Sequence, residues 1–244
     1  MKLDVLAIGA HPDDVELGCS GTLIKEVQRG KKVGIIDLTQ GELGTRGTVE
    51  TRYQEAADAA TIIGLVAREN LKMRDGFFQN DEAHQLQLIA AIRKYQPEIV
   101  IGNIYDDRHP DHGRAGSLIY DSCFLAGLKQ IKTTDDQGRE QERWRPKYLL
   151  HFIQDRFYEP DLIVDVSDVW EQRLAATLAY KTQFHTSSDS DEPQTYISSP
   201  EFLQAITARA RLLGKRIGVK YGEGFLSRKD IGISNLDALV LRET

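Results

Sequence analysis

Cysteine is scarce in this chain, with Cys19 and Cys123 the only two in 244 residues. They do not form a C-x-x-C pair, and in a reducing compartment they are expected to be small buried hydrophobes and not disulfide partners. Long apolar runs are absent, so no segment reaches the length of a membrane span. Residues 1–10 lead directly into a strand pattern, with neither the apolar stretch nor the cleavage site of a secretory leader, and a cytoplasmic protein without a membrane partner is expected. Positive charge is in deficit: 31 Lys and Arg against 37 Asp and Glu give a net charge of −6, and no basic run could line a nucleic-acid groove. DNA and RNA are therefore not expected partners. Nothing suggests a repeat array or a coiled coil. The length suits one large α/β domain over 1–244, with a core over about 1–185 and a loop, helix and strand extension over about 186–244.

Strand and helix patterns alternate along the chain. Leu3 to Ala10 is a continuous apolar run, as a buried parallel strand reads, and a helix from about Gly18 to Arg29 follows. Val33 to Thr39 repeats the strand signal, Gly41 to Gly47 is a glycine-rich loop, and Thr48 to Ile63 has alanine-rich helical spacing. Asp81 is placed as the N-cap of a helix reaching Tyr95, and Pro97 stops it before a strand over Glu98 to Gly102. Tyr148 to Ile153 and Leu162 to Val166 read as strands, and Asp168 to Phe184 and Pro200 to Leu213 as helices. The polar stretches 133–143 and 185–199 read as surface loops. The order βαβαβαβ predicts a doubly wound, Rossmann-like, mostly parallel sheet with helices on both faces. In the commonest such sheet the first and fourth strands lie side by side, and ligands bind outside their carboxyl ends.

Two short clusters belong at those ends. His11-Pro12-Asp13-Asp14 follows the first strand and His109-Pro110-Asp111-His112 follows the fourth, so the two are expected to face one crevice. A catalytic zinc takes three protein ligands from His nitrogen and carboxylate oxygen and leaves one position for water. His11, Asp14 and His112 would make such a set, which Fe²⁺, Mn²⁺ or Co²⁺ would also accept. Water at such a site ionises with an apparent pKa of roughly 7 and needs a base to take its proton. Asp13 is the candidate base. His109 is the candidate to stabilise an oxyanion or protonate a leaving amine, and Asp111 to orient His109. Either tripeptide alone would read as a turn whose Asp caps a helix, but their convergence favours metal chemistry. His84, His151 and His185 have no such company and read as a surface, a core and a loop residue respectively.

At these residues the chain resembles the zinc-dependent N-acetylglucosaminyl deacetylases of the LmbE/PIG-L family. The stretch Ala10-His11-Pro12-Asp13-Asp14-Val15-Glu16-Leu17-Gly18, followed by Gly21 and paired with His109-Pro110-Asp111-His112, looks like that family's signature. The likeness extends across Gly41 to Ile63 and into Glu192 to Leu203, and departs at Ser20, where many relatives carry glycine. It implies one zinc ion per chain on His11, Asp14 and His112, Asp13 as general base, and His109 as acid or oxyanion binder. Gly41 to Thr48 with Arg52 is similar to the bacillithiol-biosynthesis deacetylases, which implies N-acetylglucosaminyl malate as substrate. Arg52 and Arg108 are then candidates to grip the malate carboxylates, the simpler alternative being pairing with Glu55 or Asp107. Tyr196 resembles a family tyrosine that closes over the acetyl group. N-acetylglucosamine, chitooligosaccharides and S-conjugated amides are the other substrates to weigh, and a homo-oligomer, trimer or hexamer, is implied.

Two other readings compete. A dinucleotide-binding oxidoreductase would use Asp37 as its ribose-binding acid, but no G-x-G-x-x-G follows the first strand, and Asp13, Asp14 and Glu16 would repel a diphosphate. A metal-stabilised sugar-binding module would need neither the unligated base Asp13 nor His109.

Overall fold

The computed structural model describes residues 1–184 and 193–241. Its chain begins with strand β1 (Val5–Gly9), helix α1 (Asp14–Gln28), β2 (Val33–Thr39), α2 (Val49–Ile63), β3 (Ala67–Met73), α3 (Glu82–Tyr95), β4 (Ile99–Gly102) and α4 (Pro110–Leu125). It continues with β5 (Tyr148–Phe152), β6 (Leu162–Asp165), α5 (Trp170–Leu178), α6 (Lys181–Phe184), α7 (Pro200–Arg216) and β7 (Gly222–Ser227). The strands form one seven-stranded sheet in the order β3-β2-β1-β4-β5-β7-β6. Pairing is parallel from β3 to β5, while β7 runs antiparallel to both β5 and β6. The expected doubly wound α/β sheet is thus present.

Alternation along the central strands builds two cores. Val5 and Ala7 of β1, with Val33 and Ile35 of β2, face the layer of α1, α2, α5 and α7. Leu6 and Ile8, with Ile36 and Leu38, face α3 and α4. A strand buried on both faces has no polar side, which is why β1 and β2 read as unbroken apolar runs.

Three segments differ from their expected form. Helix α1 starts at Asp14, before Gly18, and breaks at Cys19 (φ −154°, ψ 16°). The Glu223 carboxylate accepts from the freed N–H groups of Gly21 (3.0 Å) and Thr22 (2.7 Å), capping the second half of the helix with negative charge. Strand β3 has no counterpart in the sequence pattern because Ala67 to Met73 carries Arg68, Glu69 and Lys72 in place of an apolar alternation, as suits a sheet edge. The helix expected over Asp168 to Phe184 is a 3₁₀ turn (Ser167–Val169) followed by α5 and α6. Between the two helices Tyr180 is drawn into the interior, where its hydroxyl meets Arg68 at 2.8 Å and Glu16 at 3.2 Å. The loop expected over 185–199 lies for the most part, with His185, outside the described residues.

Candidate active site

Parallel pairing of β1 with β4 sets Ile8 opposite Gly102, so the chain segments leaving both strands emerge together. They are joined at once: the Ala10 N–H donates to Asn103 Oδ1 at 2.8 Å. Gly116 lets α4 lie against the segment after β4, since a Cβ there would stand 2.6 Å from the Ile104 carbonyl. His109 caps α4 by accepting the Asp111 N–H on its Nδ1 (3.2 Å), with Pro110 in the first turn. The two clusters therefore meet, and the rings of His11, His109 and His112 bring ligand atoms within 4.8 Å of one another.

Carboxylates fix the tautomers of two of these rings. His11 Nε2–H donates toward Asp75 Oδ1 (3.0 Å) and Asp111 Oδ2 (3.3 Å), which turns its Nδ1 toward Asp14 Oδ2 at 3.5 Å. His112 Nδ1–H donates to Asp107 Oδ2 (2.8 Å), which turns its Nε2 toward Asp14 Oδ1 at 3.1 Å. The Asp14 carboxylate is steadied from outside by Gln154 Nε2 at 2.8 Å and Asn103 Nδ2 at 3.2 Å. With a cation in place of the proton on each of these nitrogens, two imidazole lone pairs and one carboxylate would converge, each braced from behind, as metal ligands are.

The electrostatics favour positive charge at the cluster. Burial alone would depress His11, but hydrogen bonds to Asp111, Asp14 and Asp75 hold its pKa well above the ordinary value. His112 is likewise pushed up to about 9 against burial, by Asp14 and Asp107. Burial would raise Asp14, yet the two histidines hold it well below the usual carboxylate range. A field that retains protons so firmly also suits a divalent ion, and the residues present fit one. His109 goes the other way, lowered by burial and by its positive neighbours His11 and His112. With Nδ1 accepting a backbone N–H, its neutral ring carries the remaining proton on Nε2.

Asp13 sits apart from this pairing. Its φ of 122° is a region that costs a non-glycine residue about 1–3 kcal/mol, and its side chain makes no cap to α1. Instead Arg52 Nη1 donates to Asp13 Oδ2 (3.2 Å) and to the Pro12 carbonyl (2.7 Å). Burial raises the Asp13 carboxyl to about 7, with Arg52 opposing the shift and Asp14 adding to it. A buried carboxylate poised near neutrality suits proton transfer.

Several expected roles change. Asp111 does not turn its carboxylate on His109: it holds His11 and the Gly76 N–H (2.8 Å), because α4 points that side chain at the segment after β3. Arg52 is buried beneath the β1–α1 turn, where it lines the cleft and is held by Asp13 and not by Glu55. Arg108 pairs not with Asp107 but with Asp155 Oδ2 (2.6 Å), half-exposed at the rim and 4.1 Å from the Tyr196 ring centre. The Tyr196 hydroxyl donates to Asp155 Oδ1 (2.8 Å). Asp37, the would-be ribose acid, is buried in a bidentate pair with Arg68. His84 bonds its own N-cap Asp81, and His151 is buried, with Nδ1–H donating to the Asn103 carbonyl. Asp75, Asn103 and Gln154 carried no sequence signal, since each stands just past a strand end and outside the two histidine-bearing clusters.

The site opens into a cleft of about 480 Å³, bordered by Leu43 and Gly44 on one side and by Tyr196 and Phe202 on the other. Its size suits a small-molecule ligand.

Fold and site together define a metal-dependent hydrolase, and similarity to known proteins agrees. Residues 6–123 match the PIG-L family, described as GlcNAc-PI de-N-acetylase. Over 230 residues the chain is 31% identical to diacetylchitobiose deacetylase of Thermococcus kodakarensis, covering 90% of this chain and 81% of that protein. A conserved protein of Thermus thermophilus superposes with a TM-score of 0.84 at 35% identity, over 95% of this chain and 97% of that one. A probable N-acetyl-alpha-D-glucosaminyl L-malate deacetylase 2 of Bacillus anthracis is 25% identical over 75% of this chain and 82% of its own. The chain belongs to the PIG-L family of metal-dependent deacetylases, hydrolases of the amide bond in N-acetylated sugars. No helix among the described residues is long and apolar enough to cross a membrane.

Proposed function

We propose that this protein is a zinc-dependent N-deacetylase, with one Zn²⁺ on His11, Asp14 and His112, Asp13 as general base and His109 as oxyanion donor. The observation that carries the reading is the placement of Asp13: buried, raised to about 7, outside the pairing of the three ligands, and held in a strained backbone by Arg52. A divalent cation at the cluster supplies Lewis acidity to the acetamide carbonyl and to the water beside it. Asp13 takes the proton of the attacking water. The Nε2–H of His109 donates to the carbonyl oxygen as it gains negative charge, and Asp13 returns its proton to the sugar nitrogen as the C–N bond breaks, releasing acetate and the free amine. Asp111 and Asp75 orient His11, and Asp107 orients His112.

The finer substrate in this reading is N-acetylglucosaminyl malate. Its support is the resemblance of Gly41 to Thr48, together with the half-exposed Arg108 at the cleft rim, whose Nε is taken by Asp155. Diacetylchitobiose is the second reading, favoured by the 31% identity to the Thermococcus enzyme. Acetate release from N-acetylglucosaminyl malate, N-acetylglucosamine, diacetylchitobiose and an S-conjugated substrate separates them. A preference for the malate conjugate that vanishes in Arg108→Ala upholds the first, preference for diacetylchitobiose replaces it, and no release from any acetylated sugar refutes the deacetylase reading. On the resemblance alone, the same reading makes the enzyme a trimer or hexamer.

A further inference from the structure

The segment that follows β5 reaches the site at three successive residues. Gln154 Nε2 donates to Asp14 Oδ1 at 2.8 Å, and the Arg156 N–H donates to Asp107 Oδ1 at 2.8 Å, behind His112. Asp155, between them, serves the wall of the cleft. Its Oδ1 accepts the Tyr196 hydroxyl (2.8 Å), its Oδ2 stands 2.6 Å from Arg108 Nε, and its carbonyl accepts Arg209 Nη2 of α7 (3.1 Å). Arg108 in turn lays its guanidinium 4.1 Å from the Tyr196 ring centre. Arg108, Asp155 and Tyr196 all line the cleft, yet they come from three parts of the chain: the segment leading into α4, the segment after β5, and a 3₁₀ turn over Tyr196–Ser198.

An exposed ion pair by itself contributes little, because two long side chains must be held in one geometry against solvent screening. This carboxylate is different in its burial. The Asp155 side chain is only 15% exposed, against 46% for that of Arg108, and Tyr196 is 54% exposed. A carboxylate so enclosed needs its partners. Among the described residues, neither the Arg108 guanidinium nor the Tyr196 hydroxyl has another hydrogen-bond or ion-pair partner. Without Asp155 both side chains would recover rotamer freedom at the mouth of the cleft, and a sugar would have to order them as it binds. The pairing also cancels charge: an anionic substituent on the sugar must share Arg108 with Asp155, whereas a neutral sugar meets a wall that is itself neutral.

We propose that Asp155 determines substrate specificity at this site: it sets Tyr196 and Arg108 as one preformed wall and, by pairing with Arg108, limits the preference of the cleft for a carboxylate-bearing sugar over a neutral one. Asp155 is a positioning residue that acts through these two side chains. Its chain neighbours, which brace Asp14 and Asp107, hold it at a fixed place beside the ligand cluster. The inference rests on the deacetylase reading and is independent of the roles given to Asp13 and His109.

Acetate release from two neutral sugars, N-acetylglucosamine and diacetylchitobiose, and from N-acetylglucosaminyl malate tests this, with metal content measured in the same metal-loaded samples. Asp155→Ala should raise KM for the neutral sugars by roughly tenfold with kcat little changed, the signature of lost ground-state binding. Adding Tyr196→Phe to that variant should raise KM no further, since the hydroxyl has already lost its acceptor. Asp155→Asn keeps an oxygen for the Tyr196 hydroxyl and removes the charge that competes for Arg108. Its KM for the neutral sugars should stay near native, while its KM for the malate conjugate falls by roughly fivefold, the worth of a unit charge at about 4 Å in water. Equal changes for neutral and anionic sugars in Asp155→Asn would overturn the proposal. So would an Asp155→Ala protein that loses kcat and metal together at an unchanged KM. No release by the wild type from any of the three sugars would instead refute the deacetylase reading, and the inference with it.

Discussion

Replacing Asp13 by Asn isolates the proton transfer. Asn is among the residues that best tolerate positive φ, so the strained turn survives. Arg52 keeps its bond to the Pro12 carbonyl and gains an amide oxygen in place of the carboxylate. The contacts that converge on Asp14 do not involve Asp13, so metal content should be native. What is lost is the base, worth about 10²–10⁴-fold in rate. The wild-type pH profile should show the same group. Asp13 accepts a proton only when ionised, so with its carboxyl raised to about 7, kcat/KM falls as pH drops through that value. A bound cation favours the ionised form and draws this limb to lower pH. Acetate release, with metal measured in the same samples, is the assay. A metal-loaded Asp13→Asn protein with near-native turnover, or one retaining the acid limb, would refute the assignment.

Asp111→Asn should weaken metal binding by roughly ten- to a hundredfold in chelator competition, because the carboxylate braces His11; native metal affinity with reduced turnover would instead restore Asp111 to His109. The metal-free protein should lose stability as pH rises. The His112 pKa lies at about 9 when folded against an ordinary 6.5, so the stabilisation is complete below 6.5 and lost as pH passes through 9, by about 3 kcal/mol at most. Saturating metal, which takes the place of that proton, should flatten the loss. Thermal unfolding with and without chelator reads both, and a level metal-free profile from 6.5 to 9 would contradict the tautomer and pairing of His112.

The fold was most legible where one physical cause dominates. Val33–Thr39 is bounded correctly because burial on both faces leaves an uninterrupted apolar run, and α3 begins where Asp81 accepts the His84 N–H. Legibility failed where a distant residue decides. Nothing local says that Glu223, from the last strand, will cap a helix that Cys19 interrupts, or that Tyr180 must reach Arg68 and so divide α5 from α6. The edge strand β3 hid because exposure relaxes the alternation that would betray it.

At the site the same division has a chemical reason. The side chains that meet the reacting atoms must come as His and Asp at the ends of β1 and β4, and so cluster in the chain. Their orientation is set by carboxylates outside the two clusters, Asp75 in the segment after β3 and Asp107 in the segment that leads into α4. Asp75 follows β3 and bonds both His11 and the Leu43 N–H (3.0 Å), so the residue bracing one proposed ligand also ties down the glycine-rich rim of the cleft. Asp107 likewise spans His112 and the Arg156 N–H (2.8 Å) near the opposite rim. Each brace therefore ties the ligand cluster to one wall of the cleft. Movement of either wall against a substrate would be felt first at a histidine that the sequence marks as a ligand, through an aspartate whose bracing role it does not mark.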